Sequence, residues 1–239
     1  MACDYTFSKS RLGGYEMITK DDQDALFQLI ARYLKKDVQC YAFGGNAMMY
    51  YGYKAATKDI DILFGTVEDK KNFVDAISSL NYQRMSLKTI YPERLEKDPK
   101  KPEMYTRGDE RFDLFVGNVF RTVFSPNMKE RIWGRYDFKS EKHTLTVFVL
   151  GKEDILFLKG ITHRDKDFED IKIIVEKEKK LNWDAIIQET IEQYNQGNEW
   201  ALLDLEETLE KLKSITFIKE EYFDRLYSVL KKKKAKPRK

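Results

Sequence analysis

Apolar residues recur along this chain at two spacings, and the changes between them mark its elements. Residues 19–34 repeat at helical spacing. Leu26, Phe27, Leu29, Ile30, Tyr33 and Leu34 form one stripe, Thr19 stands where a cap belongs, and acidic residues fill the first turn. A short run at 38–43 predicts a strand that stops at Gly44-Gly45; residues 46–53 then predict a short helix ending at a turn containing Gly52, and 59–64 a second strand. Helical spacing returns at 68–80, with Phe73, Val74, Ile77 and Leu80 on one side. Residues 91–110, rich in Pro, Lys and Glu, predict a mobile loop leading to a third strand at 112–116, and 144–150 predict a further strand.

This alternation predicts an α/β (α+β) domain over residues 1–150, with a small mixed sheet flanked by helices. No strand pattern follows Gly151, and amphipathic helices take over, so residues 151–230 are expected to form a helical C-terminal module. The last stretch, 231–239, reads KKKKAKPRK, a basic tail that can bury nothing and is expected to be disordered.

Composition narrows the setting. With 42% apolar residues in 239, the chain can bury one good core and a smaller helical module. Its charges nearly cancel, at a formal +3, so any nucleic-acid surface must be local. Cys3 and Cys40 share no metal-ligand spacing and are too sparse for a disulfide framework, which suggests a reducing cytoplasm. No apolar run approaches transmembrane length and the N-terminus lacks the apolar stretch of a signal peptide, so a soluble protein with no membrane partner is expected. His143 and His163, with no clustered Cys, make a zinc site unexpected.

The candidate chemistry lies in the strands. In KDIDILF, Asp59 and Asp61 are two residues apart, so both project from one face while Ile60 and Ile62 enter the core. Two carboxylates this close repel each other, and a bound divalent cation relieves that repulsion. Asp113 stands in the apolar context RFDLFV; if its strand neighbours the first, three carboxylates converge, as a two-metal phosphoryl-transfer centre needs. The Gly44-Gly45-Asn46 turn lets the backbone approach a phosphate, and Asn46 can cap the helix that follows. Taken singly, an Asp-x-Asp is more often the polar face of a sheet and a Gly-Gly a tight turn; it is their order that points to one cleft.

The string GGNAMMYYGYKAATKDIDILF resembles the signature of the nucleotidyltransferase superfamily: a glycine turn, a short helix, Asp-x-Asp, and a third carboxylate on a later strand, where Asp113 stands. Closest in character are small bacterial and archaeal nucleotidyltransferase-like proteins related to toxins of the AbiEii type. EDILFLKGITHRDKDFEDI is similar to the C-terminal motif of those proteins and implicates Lys159, Arg164, Lys166, Asp167 and Asp170 in nucleotide binding. Charged residues at this spacing on a helix more commonly make solvated ion pairs. Two departures stand out: Ala55 where many relatives carry Arg, and Gly-Gly-Asn in place of Gly-Gly-Ser or Gly-Gly-Thr.

The resemblance implies a Mg2+ (or Mn2+)-dependent enzyme that transfers a nucleoside monophosphate from a nucleoside triphosphate to an acceptor hydroxyl, releasing pyrophosphate. Asp59, Asp61 and Asp113 would hold metal; Gly44, Gly45, Asn46 and Lys159 would hold phosphates. The same resemblance suggests a tRNA acceptor, with a protein or small-molecule hydroxyl left open, and allows an antitoxin-like protein partner. The alternatives are a non-catalytic nucleotide- or RNA-binding protein with a degenerate site, and a structural partner acting through the helices after Leu181.

Overall fold

In a computed structural model that describes residues 10–12, 15–86, 100–162 and 165–234, the apolar periodicity resolves into a mixed α/β fold. The chain divides into two compact units, one of residues 1–124 with 132–150, the other of residues 125–131 with 151–239. The change of character expected after residue 150 coincides with the second crossing into the helical unit; the capture of 125–131 by that unit has no counterpart in the sequence pattern.

The first unit opens with strands β1 (Ser10–Leu12) and β2 (Tyr15–Thr19), then α1 (Lys20–Ala31). Thr19 caps α1 through a capping box with Asp22. The helix is shorter than the stripe predicted: it ends at the Arg32 cap, leaving Tyr33 exposed while Leu34 stays buried. Next come β3 (Val38–Ala42), α2 (Gly44–Tyr50), β4 (Ala56–Thr57), β5 (Ile60–Phe64) and α3 (Val67–Ser79), the last capped by Thr66. The helix expected at 46–53 therefore starts earlier, at the first glycine, and stops before Gly52.

After β6 (Gln83–Met85), residues 87–99 lie outside the described residues, and with them residues 91–99 of the loop expected at 91–110. The rest of that loop is ordered, which corrects the expectation. β7 (Glu103–Arg107) pairs antiparallel with β8 (Glu110–Val116) across a two-residue Gly108-Asp109 turn. Burial of Met104 and Tyr105 outweighs the polar composition of that stretch. The short pair β9 (Asn118–Val119) and β10 (Thr122–Val123), then β11 (Gly134–Lys139) and β12 (Thr144–Val149), complete the unit.

Seven strands form one mixed sheet in the order β11-β12-β3-β5-β8-β7-β6. The four strands expected from sequence are its centre, with β12 parallel to β3, β3 antiparallel to β5, and β5 parallel to β8. Strand alternation then sorts the side chains. Val38, Cys40, Ile60, Ile62, Phe64, Phe112 and Leu114 are all buried, and Phe73 of α3 packs its ring against Phe64 and Phe112, so this face is the helix-covered core. The residues between them, Asp61 on β5 with Arg111 and Asp113 on β8, project from the opposite face.

The second unit holds α4 (Pro126–Glu130), α5 (Lys152–Gly160), α6 (Asp165–Lys177), α7 (Trp183–Asn195), α8 (Ala201–Leu212) and α9 (Glu220–Lys234). Helix α9 continues through Lys234, so the first four residues of the tail expected to be disordered extend a helix instead; residues 235–239 lie outside the described residues. Among the described residues no helix is long and apolar enough to cross a membrane.

Candidate active site

The site is built where β5 and β8 run side by side. Asp61 and Asp113 are direct partners across this parallel pair, so their side chains leave one face of the sheet next to each other. Asp59, two residues before Asp61, stands just ahead of β5. Asp113 is 0% exposed and Asp59 8%, and carboxylates so removed from water require a cation or hydrogen-bond donors.

The cation present is a side chain. Arg111, two residues before Asp113 on β8, hydrogen-bonds to Asp59 Oδ2 through Nη2. The same nitrogen lies 3.4 Å from Asp113 Oδ2, and its Nε approaches Asp113 Oδ1 at 3.0 Å as an ion pair without hydrogen-bond alignment. One guanidinium thus ties the approach to β5 to the middle of β8 through two carboxylates. Among the described residues no group of three or more Asp, Glu, His or Cys is gathered as a ready-made metal cage. The convergence expected of three carboxylates takes the form of a registered Asp61–Asp113 pair and an Asp59–Arg111–Asp113 bridge.

The glycines earn their positions by closeness. Gly44 has φ +63°, and a Cβ there would lie 2.2 Å from Asp61 Oδ2, so no other residue fits against that carboxylate without moving it. A Cβ on Gly45 would lie 2.6 Å from Thr57 Oγ1, whose hydroxyl donates to Asp59 Oδ1 at 3.4 Å. The glycine pair therefore lets the start of α2 lie directly on Asp61 and on the threonine that holds Asp59.

Asn46 does not cap α2. The cap is Phe43, which makes no side-chain hydrogen bond, and Asn46 is fully buried within the first turn. Its Oδ1 accepts from the Asp61 backbone N–H at 3.1 Å, tying α2 to β5, while its Nδ2 is buried with no partner among the described residues. This places Asn46 on the Asp61 backbone rather than at the cap expected.

The remaining candidates belong to the second unit. Lys159 of α5 is 7% exposed, with Nζ 3.0 Å from Asp167 Oδ1 and 2.6 Å from Asp170 Oδ2, both on α6. Burial depresses the lysine's pKa, but the pull of the two aspartates outweighs it and raises the value overall. The Thr162 hydroxyl lies 2.5 Å from Asp167 Oδ2 and 2.9 Å from the Lys159 carbonyl, and its one proton can be donated to either. These three charged residues form an interior ion network that joins two helices. Lys166 is exposed, and Arg164 lies outside the described residues.

Two residues absent from the sequence reading belong to the site, Arg111 and Thr57. The signal for Arg111 is in RFDLFV: two residues before Asp113 on a strand, it must share that face. Thr57 carries no such signal, because its place against Gly45 and Asp59 is a contact between elements.

The donors gathered are carboxylates, the kind of ligand a hard divalent cation takes, and two of these carboxylates, Asp59 and Asp113, already rest on a positive group. No protein-family model matches the chain and no curated protein matches it, so the likeness to nucleotidyltransferases rests on the chain's own residues.

Proposed function

We propose that the chain is a cytoplasmic, metal-dependent nucleotidyltransferase that passes a nucleoside monophosphate from a nucleoside triphosphate to an acceptor hydroxyl, with release of pyrophosphate. The observation that carries this reading is the in-register Asp61–Asp113 pair beneath a glycine whose backbone reaches Asp61 as no other residue could. A structural turn has no need of that closeness; a site that brings backbone against an acidic centre does.

Asp59, Asp61 and Asp113 would hold Mg2+ or Mn2+, which supplies positive charge to the triphosphate and to the attacking oxygen. Asp113, the most buried of the three, would accept the acceptor's proton. Gly44 and Gly45 would admit the β- and γ-phosphates to the backbone, and Asn46 would hold Asp61 in place through its backbone N–H. Lys159 is already matched by two carboxylates, which favours a structural role for it over neutralising the leaving group.

A second reading, a non-catalytic nucleotide- or RNA-binding protein, is favoured by one observation: Arg111 rests on Asp59 and Asp113 where a metal ion would be held. The two readings separate on transfer. Intact chain incubated with Mg2+ and each α-labelled nucleoside triphosphate is expected to label total tRNA or total protein, and an Asp59→Ala, Asp61→Ala chain is not. Label in tRNA would also support the toxin-like reading, with its antitoxin-like partner. Triphosphate binding without label in either pool would leave the non-catalytic reading.

A further inference from the structure

Arg111 and a metal ion want the same oxygens. Its guanidinium contacts carboxylates of both Asp59 and Asp113 from a side chain 17% exposed, where solvent screens little. A divalent cation entering between those aspartates meets a second positive group at contact distance, and two cations there repel more strongly than either would in water. Asp113 is fully buried on a central strand and Asp59 nearly so, so the carboxylates have little room to retreat with either partner. Of the three, the arginine has the longest side chain and the most exposed one, so it is the member best able to turn away.

Resting on the proposal that these aspartates bind the catalytic metal, we infer that Arg111 is an internal competitor for the ion, closing on Asp59 and Asp113 in the metal-free protein and leaving them when the ion enters. In the empty state it suppresses the repulsion between the two carboxylates and keeps the site assembled. In the loaded state its departure sets the affinity, because the ion must offer more than the guanidinium did. Arg111 is therefore a positioning residue whose effect is read in metal binding, independently of turnover.

The test titrates Mn2+ into the full chain and two variants, reading affinity by calorimetry and the rise in Tm on metal addition. Arg111→Met is expected to bind about tenfold or more tighter than the intact chain, within the usual range for two coupled ligands, and to gain more in Tm from the ion. Arg111→Lys keeps the charge but not the two-pronged contact, so its affinity falls between. If Arg111→Met does not fold without metal, the lysine variant decides: tighter than intact supports the inference, equal or weaker overturns it. Equal or weaker binding by the methionine variant overturns it too, and leaves the metal site standing provided an Asp59→Asn, Asp61→Asn chain has lost the ion. Binding undiminished in that double variant removes the metal site itself, as does the absence of binding in every chain.

Discussion

Gly44 and Gly52 bracket α2 in the same left-handed backbone conformation, φ +63° and +70°, yet only one of them touches the site. A Cβ on Gly44 would meet Asp61 Oδ2 at 2.2 Å; on Gly52 it would meet no atom of the described residues within 4 Å. Alanine at either position bears the same backbone penalty, about 1–2 kcal/mol. Only Gly44→Ala must also displace the carboxylate. Urea unfolding should therefore show a loss of about 1–2 kcal/mol for Gly52→Ala with Mn2+ affinity retained, against a larger loss for Gly44→Ala with affinity reduced. Equal Mn2+ affinity in the two variants would remove Gly44 from the site. At this scale much was legible in the sequence. The two-residue strand rule that pairs Asp59 with Asp61 also pairs Arg111 with Asp113. That Arg111 reaches back to Asp59, and that Asn46 turns inward to the Asp61 backbone, were not legible, because both contacts cross between elements.

Among elements, the legible ones were those whose burial has a period. The four central strands and the amphipathic helices α1 and α3 follow their apolar spacing closely, since one face of each is covered. Strand β6, exposed at all three residues, is held by pairing at the edge of the sheet, and β7, set in a charged stretch, buries two successive residues, Met104 and Tyr105, so neither shows such a period. The charged motif on α5 and α6 shows the opposite limit: its spacing reads equally as a solvated face or a ligand site, and burial makes it an interior network. Lys159→Met would leave Asp167 and Asp170, 1% and 4% exposed, without their lysine. Removing one partner of a buried ion cluster costs about 3–5 kcal/mol. Denaturant unfolding of Lys159→Met should show a loss of that order; a change below about 1 kcal/mol would return Lys159 to the surface role typical of a solvated pair.

For the molecule as a whole, the unexpected feature is that the helical unit takes residues 125–131 out of the sheet unit's chain, where Met128 is buried and charged groups add to the hold. Ser125 accepts the Met128 N–H as the cap of α4 and donates to Glu189 Oε2 of α7 at 3.0 Å. Arg131, just after α4, pairs with Asp154 of α5 and, at 2.8 Å, with Glu189. Two buried carboxylates thus share one guanidinium. Burial, opposed by Arg131 and reinforced by Glu189, pushes the Asp154 carboxyl up from 3.8 to about 6. The sign of the consequence is fixed by proton count. Between about pH 4 and 6 the folded unit holds a proton on Asp154 that the unfolded chain has released, so this group's contribution to stability falls as pH rises through that window and is constant outside it. At about 1.4 kcal/mol per pH unit, the fall is on the order of 3 kcal/mol. Asp154→Asn cannot titrate, so the stability of the intact chain minus that of the variant should decline by this order between pH 4 and 6.5. Trp183 and Trp200 lie in the helical unit and report its unfolding, with Trp133→Phe silencing the one tryptophan of the sheet unit. A difference that stays level across the window would mean that Asp154 remains ionised beside Arg131, and that the captured segment is held by a fully charged pair.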